Sequence, residues 1–236
     1  MLGKTKSITS PIAGKAPPDK RETLRRIAEA ARQEFAAKGL AQARIDDIAQ
    51  AAGVTKQLIY HYYHSKDELF AYVLEQSSAE TMSGLLSIEL DHLSPRKALQ
   101  ALLEHMIHPY HDPLLSSLAQ EGIRYHESHT TPRNSFIELA PELKQMMRRV
   151  FDRGIESGDF RRDVDIELLL TAAVLATTSA YVSRYTVSTL CGLDVSKKTD
   201  ADIWRRFSVD FVLSAVERER SESHPLVKVA NEPNIV

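Results

Sequence analysis

The stretch Ile45–Lys66, IDDIAQAAGVTKQLIYHYYHSK, constrains this chain more than any other. Ile45, Ile48, Ala49 and Ala52 fall at helical spacing and make one apolar stripe. Ala49 is small, so a neighbouring helix can approach closely. Gly53 follows where a helix would end, and glycine enters a left-handed turn without steric cost. Val54 plugs the turn into the core, and Thr55 is a good N-cap for a second helix. From Thr55 to Tyr62 that helix presents Lys56, Gln57, Tyr60, His61 and Tyr62, while Leu58 and Ile59 pack inward. Ser65 caps a third, KDELFAYVLEQ, whose Asp67 and Glu68 sit in the first turn and favour its dipole. This is the layout of a helix-turn-helix, in which the second helix enters the DNA major groove. The amide, hydroxyl, imidazole and ammonium groups on that helix are the partners that base edges and phosphates require.

The preceding segment completes the unit. Lys20–Lys38 carries Leu24, Ile27, Ala28, Ala31 and Phe35 as a helical stripe, and Gly39 terminates it. Residues 20–64 therefore predict a three-helix unit with its own small core, with a further helix leading out from Ser65.

These residues carry a resemblance. With Ile27, Ala30, Phe35 and Gly39, then IAQAAGV at Ile48–Val54, then Leu58, Ile59, Tyr60, Tyr63, Ser65, Lys66 and Leu69, the chain resembles the TetR family of bacterial transcriptional regulators. The resemblance is confined to the DNA-binding end, about a fifth of the chain. It implies an all-helical homodimer of two-domain subunits that binds a near-palindromic operator and is released by a small ligand, with repression as the usual mode. Two positions depart from the family pattern. Arg44 stands where a capping residue is usual, which removes the cap and adds a cation beside the groove. Gln57 follows Lys56 where the family often has a small residue or proline, and glutamine can make a bidentate contact to adenine.

Composition agrees with that reading. A chain of 236 residues holds one or two domains, and 43% hydrophobic residues suffice for buried cores. The one cysteine, Cys191, excludes an intrachain disulfide framework and suits a reducing cytoplasm. It reads as a buried small apolar residue rather than a redox sensor, since no Lys or Arg immediately flanks it. No signal peptide and no run of membrane-span length is visible. The net charge of −2 hides an asymmetry: residues 1–66 hold 12 Lys and Arg against 6 Asp and Glu, and the rest hold 18 against 26. A basic front and an acidic back suit a DNA-binding domain on a regulatory body, although solvated faces can also differ by chance.

The expected organisation is a disordered basic arm over 1–19, the helix-turn-helix domain over 20–66, a helical effector-binding and dimerisation domain over 67–220, and a flexible tail over 221–236. The arm could trail along the phosphate backbone or be inert. Within the larger domain the pattern predicts one long helix from Ser65 to about Leu90. Helices follow from Pro95 to about His108, from Leu114 to about Glu127 and through Pro141–Ser157. Asp165 opens a long apolar helix to about Leu190, and Asp200 opens the last, to about Arg220. There is no strand signal. The last two long helices are broadly apolar and must be buried. In the resembling family such helices pack with their twofold mates as a four-helix bundle, which points to Leu168, Leu175, Ser179, Val182, Trp204, Phe207 and Phe211 as the dimer interface. The alternative is that both helices belong to the subunit core.

The DNA contacts expected are Arg44, Thr55, Lys56, Gln57, Tyr60, His61, Tyr62 and Lys66, with Arg44 and Lys66 clamping flanking phosphates. Apolar and aromatic content suggests an effector pocket among Met106, Tyr110, Ile123, Tyr125, Met147, Phe151, Thr178 and Tyr181, taking a largely apolar or aromatic molecule. His105 and His108, and His126 and His129, are spaced to share a helix face, but no acid–His–Cys cluster of recognised spacing accompanies them, so neither metal nor cofactor is expected. An enzyme is disfavoured, since there is no phosphate-cradling loop, nucleophile elbow or metal-protease helix. A purely architectural DNA binder would not need so large a second domain.

Overall fold

A computed structural model describes residues 19–131 and 133–218. Among them are ten α-helices and a single 3-10 turn, and the only β feature is an isolated bridge between Phe160 and Glu217. The arm expected over 1–19, apart from Asp19, and the tail over 221–236 lie outside the described residues. The chain divides into two compact units between Val73 and Leu74.

The first unit contains α1 (Lys20–Gln42), α2 (Ile45–Ala52), α3 (Lys56–Tyr63) and the first turns of α4 (Lys66–Leu86). Gly39 leaves helical geometry at φ 69° and kinks α1, and Gly53 closes α2 in the left-handed region at φ 63°. Ile27, Ala31, Phe35, Ile48 and Ile59 are fully buried. So are Leu69 and Phe70 of α4, and the Phe70 ring meets Phe35 edge-on at 4.9 Å. The helix leading out of the three-helix unit is thus also part of its core.

The second unit runs through the rest of α4, then α5 (Pro95–Ile107), the 3-10 turn His108–His111, α6 (Pro113–Ser128), α7 (Ser135–Ser157), α8 (Ile166–Val182), α9 (Arg184–Cys191) and α10 (Lys198–Val216). One large core gathers Leu99, Leu102 and Leu103 of α5, Met147 and Phe151 of α7, Ala173 and Ala180 of α8, and Val209 and Leu213 of α10. α7 starts under two acceptors. Asn134 Oδ1 accepts from Ile137 N at 3.2 Å, and the Glu75 carboxylate of α4 accepts from both the backbone N–H and the hydroxyl of Ser135. A carboxylate at a helix N-terminus complements the helix dipole.

The apolar helix expected to run from Asp165 to about Leu190 is in fact two helices. α8 stops at Val182, Ser183 takes φ −112° and ψ 48°, and α9 departs at 85°. The break is stabilised from a distance: Gln120 Nε2 donates to the carbonyls of Tyr181 at 3.1 Å and Val182 at 2.8 Å, groups a helix end leaves without partners. Cys191, expected to be buried, is exposed at the end of α9, where its thiol donates to Val187 O. No single helix among the described residues is long and apolar enough to cross a membrane.

Phe160 folds back onto α7 in a gap that only glycine leaves. A Cβ on Gly154 would lie 2.0 Å from Phe160 Cδ2, whereas one on Gly84 in α4 would meet nothing within 4 Å. Gly154→Ala is therefore expected to destabilise the protein by about 2 kcal/mol or more. Gly84→Ala should stabilise it by about 0.5 kcal/mol. Calorimetric melting of the two variants beside the parent checks the opposite signs.

Candidate nucleic-acid interface

α3 is held rigidly from below and left open above. Thr55 Oγ1 accepts from Leu58 N at 3.2 Å and caps its start, Ile59 and Tyr63 are buried, and His64 closes it at a positive φ of 49°. Burial beside Tyr72 pushes the Tyr63 phenol well above its ordinary value, so it stays protonated and packs as part of the core. Ser65 Oγ then accepts from Glu68 N at 3.0 Å, starting α4 as its sequence predicts. α2 begins at Arg44 without a side-chain cap, as expected from the departure noted there.

Two ion pairs between helices, Lys38–Asp47 and Lys56–Asp46, brace the three helices. Lys38 on α1 bridges Glu34 at 2.8 Å and Asp47 of α2 at 2.9 Å, and the hydrogen bond from Lys38 holds the Asp47 carboxyl below its usual range. Lys56 at the start of α3 pairs with Asp46 of α2 at 3.0 Å. Both pairs are solvent-exposed and contribute little stability, but they orient α2 and α3.

The open face of α3 carries Lys56, Gln57, Tyr60 and His61, all exposed, with Tyr62 half-buried beside His61. Gln57 and Tyr60 form no side-chain hydrogen bond to any described residue, so the donors and acceptors needed for base edges are not spent internally. Arg44 is exposed at the neighbouring helix start. One cation was not anticipated: Lys20, in the first turn of α1, sits 5.8 Å from the Tyr62 ring centroid and so extends the basic face. Its lysine is among the charges of residues 1–66, but only the fold brings it beside α3.

Lys66 turns inward, against the expectation that it clamps a phosphate. Its ammonium donates to the carbonyls of Ala41 at 3.3 Å and Ala43 at 3.2 Å, sealing the end of α1. Cations near a helix C-terminus are favoured by the carbonyls exposed there.

In the second unit the eight suggested pocket residues separate. Met106, Met147, Phe151 and Tyr181 are in the main core, Tyr110 packs against it, and the Tyr110 hydroxyl is hydrogen-bonded to Thr178. Tyr125 is buried outside that core, stacked on His129 at 4.3 Å, and Ile123 is 50% exposed. None of the eight lines the groove of about 490 Å³ formed by Leu86–His92 with Met146, Arg149 and Val150. The histidine pairs have local roles: His105 Nδ1 is 3.0 Å from Ala101 O, and His129 Nδ1 is within hydrogen-bond reach of Ser128 and Tyr125 O. Among the described residues no group of three or more His, Cys, Asp or Glu could hold a metal ion.

Leu168, Leu175, Phe207 and Phe211 are 71%, 62%, 57% and 59% exposed, forming apolar outer faces on α8 and α10. Ser179 and Val182 are half-buried, and Trp204 turns toward its own subunit, donating from Nε1 to Thr177 O at 3.2 Å.

A capped recognition helix on a small basic unit, followed by a larger helical unit, defines a helix-turn-helix transcriptional regulator. Residues 27–73 match the model for bacterial regulatory proteins of the tetR family, and residues 95–212 match the tetracyclin repressor-like C-terminal domain. The chain belongs to the TetR family of transcriptional regulators. It is 27% identical over 196 residues to the transcriptional repressor NicS of Pseudomonas putida, covering 81% of this chain and 91% of that protein. The solved structure of the ketosteroid transcriptional regulator KstR2 of Mycobacterium tuberculosis superposes with a TM-score of 0.61 at 23% identity, over 86% of this chain and 98% of that one. FadR of Bacillus subtilis, solved with stearoyl-CoA, gives a TM-score of 0.63 at 17% identity, over 82% and 100%.

The inward geometry of Lys66 makes a distinct prediction. Lys66→Met should destabilise the protein by about 1 kcal/mol, because two carbonyls lose a charged donor. The slope of log affinity against log salt should stay at its parental value, since no phosphate contact is removed. Calorimetry and DNA binding across a salt series check both halves.

Proposed function

We propose that this protein is a repressor that binds a near-palindromic operator as a homodimer, lays α3 of each subunit in successive major grooves, and is released by a small, largely apolar or aromatic effector held in its second unit. The observation that carries the reading is the open face of α3, where Gln57, Tyr60 and His61 are exposed on a capped and braced helix. Exposed groups without internal partners are ready for base edges, while Lys56, Arg44 and Lys20 supply charge for phosphates.

Dimerisation is supported by the apolar outer faces of α8 and α10. Four large side chains exposed by more than half do not suit a monomer's surface and fit a self-complementary twofold interface. Half-buried Trp204, Ser179 and Val182 lie beside these faces and belong to the same proposed interface. Two identical reading heads then impose a half-site spacing of one helical turn or a multiple of it.

Release follows from that spacing. α4 belongs by its residues to both units, so a ligand that favours a different setting of α4 changes the separation of the two recognition helices. Half-sites that no longer match the groove repeat lose affinity together. An apolar effector is in keeping with KstR2 of Mycobacterium tuberculosis, a relative named as a ketosteroid regulator.

Selection of genomic DNA on the purified protein, sequenced after washing at physiological salt, tests the reading. A recurrent near-palindrome is the expected result, and retention without shared sequence would overturn it. Gln57→Ala should keep the fold and relax preference at a base pair in each half-site, by about 1–3 kcal/mol. Phe211→Glu should yield a folded monomer in analytical ultracentrifugation that has lost high-affinity operator binding, and a variant that remains dimeric would refute the interface.

A further inference from the structure

We infer that the Tyr181 hydroxyl is the hydrogen-bond anchor of the effector site, and that the ligand it takes is a flat, uncharged aromatic molecule carrying a hydrogen-bond acceptor at one end. The inference rests on the second unit being the effector-binding domain, and it narrows the chemistry of what binds there.

Tyr181 is among the largest fully buried side chains of the protein, at 1% exposure, and its hydroxyl has no hydrogen-bond partner among the described residues. Buried phenols normally find one. The surroundings make the omission specific. The neighbouring Tyr110 hydroxyl is bonded to Thr178, whose own hydroxyl donates to Val174 O at 2.7 Å. Trp204 Nε1 is satisfied by Thr177 O. Packing has provided for the polar groups around this point and left one donor over. A buried donor without a partner calls for an explanation, since phenylalanine would fill the same space at no such cost, and a ligand that accepts from it supplies one.

The covering of Tyr181 identifies the ligand's shape. The Tyr110 ring lies 5.8 Å from it at 34°, and the His111 ring 5.9 Å at 31°. Both belong to the 3-10 turn His108–His111, four residues between α5 and α6 that contain Pro109 and are followed by Pro113. Turns of this kind have poorer hydrogen-bond geometry than α-helix and serve as hinges. His108 and His111 are themselves exposed, so an outward swing of the turn would uncover the phenol beside two rings tilted 34° and 31° to its own. Rings on which a planar guest can stack suit an aromatic ligand.

The charges favour a neutral ligand. Two guanidiniums lie close and both are held: Arg205 by Glu104 at 3.1 Å and Asp202 at 3.5 Å, and Arg184 by the Tyr181 carbonyl at 3.3 Å and by Ser116 Oγ. Asp202 acts on the Tyr181 phenol and would repel a carboxylate. Desolvation, with the charges of His108, Arg205 and Lys198 adding to it, lowers the His111 imidazole below its ordinary value and so favours its neutral form. A carbonyl or ring nitrogen needs none of these charges to accept from the phenol.

The test titrates the full-length protein calorimetrically with acetophenone, ethylbenzene and benzoate, which share a ring and differ in the acceptor. Acetophenone should bind at least about tenfold more tightly than either of the others, and Tyr181→Phe should bring it down to the level of ethylbenzene. The variants' own melting points give a second reading. Tyr181→Phe should melt at the parental temperature or about 2 °C above it, because it deletes an unpartnered group, whereas Tyr110→Phe should melt lower, because it breaks a made pair. No heat with acetophenone at its solubility limit, equal binding by parent and Tyr181→Phe, tighter binding of benzoate, or a lower melting point for Tyr181→Phe would each overturn the assignment. Operator retention is measured on the same two proteins. Its loss in the parent would refute the regulator reading, and leaves the anchor to be judged on calorimetry.

Discussion

One helix is built into two hydrophobic cores, and the rest of the molecule depends on it. α4 gives Leu69 and Phe70 to the core of the first unit, where Phe70 meets Phe35 edge-on. Further along it gives Met82 and Leu85 to the core of the second, and Leu74 lies 3.3 Å from where a Cβ on Gly122 would stand. Neither core is complete without its share of α4. The Glu75 carboxylate fixes the second stretch of α4 to the first turn of α7 through two hydrogen bonds.

The reading head shows the complementary strategy. Its stability comes largely from below, through buried Ile59 and Tyr63 and the caps at Thr55 and Ser65, which leaves Gln57 and Tyr60 on the outer face without internal hydrogen bonds to described residues. Lys66 illustrates how finely the two duties are divided. It is a lysine like Lys56 and ten residues further on, yet its ammonium is committed to the end of α1 while Lys56 remains at the surface, paired with Asp46. Charge alone does not distinguish a DNA contact from a helix cap, and the position of the side chain relative to unsatisfied carbonyls does.

The legibility of the chain follows the range of the forces involved. The helix-turn-helix could be read directly, because Gly39, Gly53, Thr55 and Ser65 act on backbone within a few residues of themselves. The apolar stripes of α1 and α2 were equally clear. The bend after Val182 was not, since the side chain that stabilises it is Gln120, some sixty residues earlier, and the local run of apolar residues continues straight through. The exposure of Cys191 follows from that bend, which carries α9 away from α8. The residues expected to line an effector pocket were least accessible. Content of aromatic and sulfur side chains does not separate core from pocket, and what singles out Tyr181 among them is a missing partner, a property that exists only after folding.

The chain contains one tryptophan, and its placement gives the molecule an optical identity. Trp204 is half-buried on α10 with its indole N–H tied to the Thr177 carbonyl of α8, two helices that also carry the exposed apolar faces. Tryptophan emission, selected by exciting beyond the absorption of the eight tyrosines, therefore comes from a single, hydrogen-bonded site at the seam of these helices. Any rearrangement of that seam, from assembly or from a guest in the neighbouring core, is written into the colour and intensity of one chromophore without a label having to be introduced.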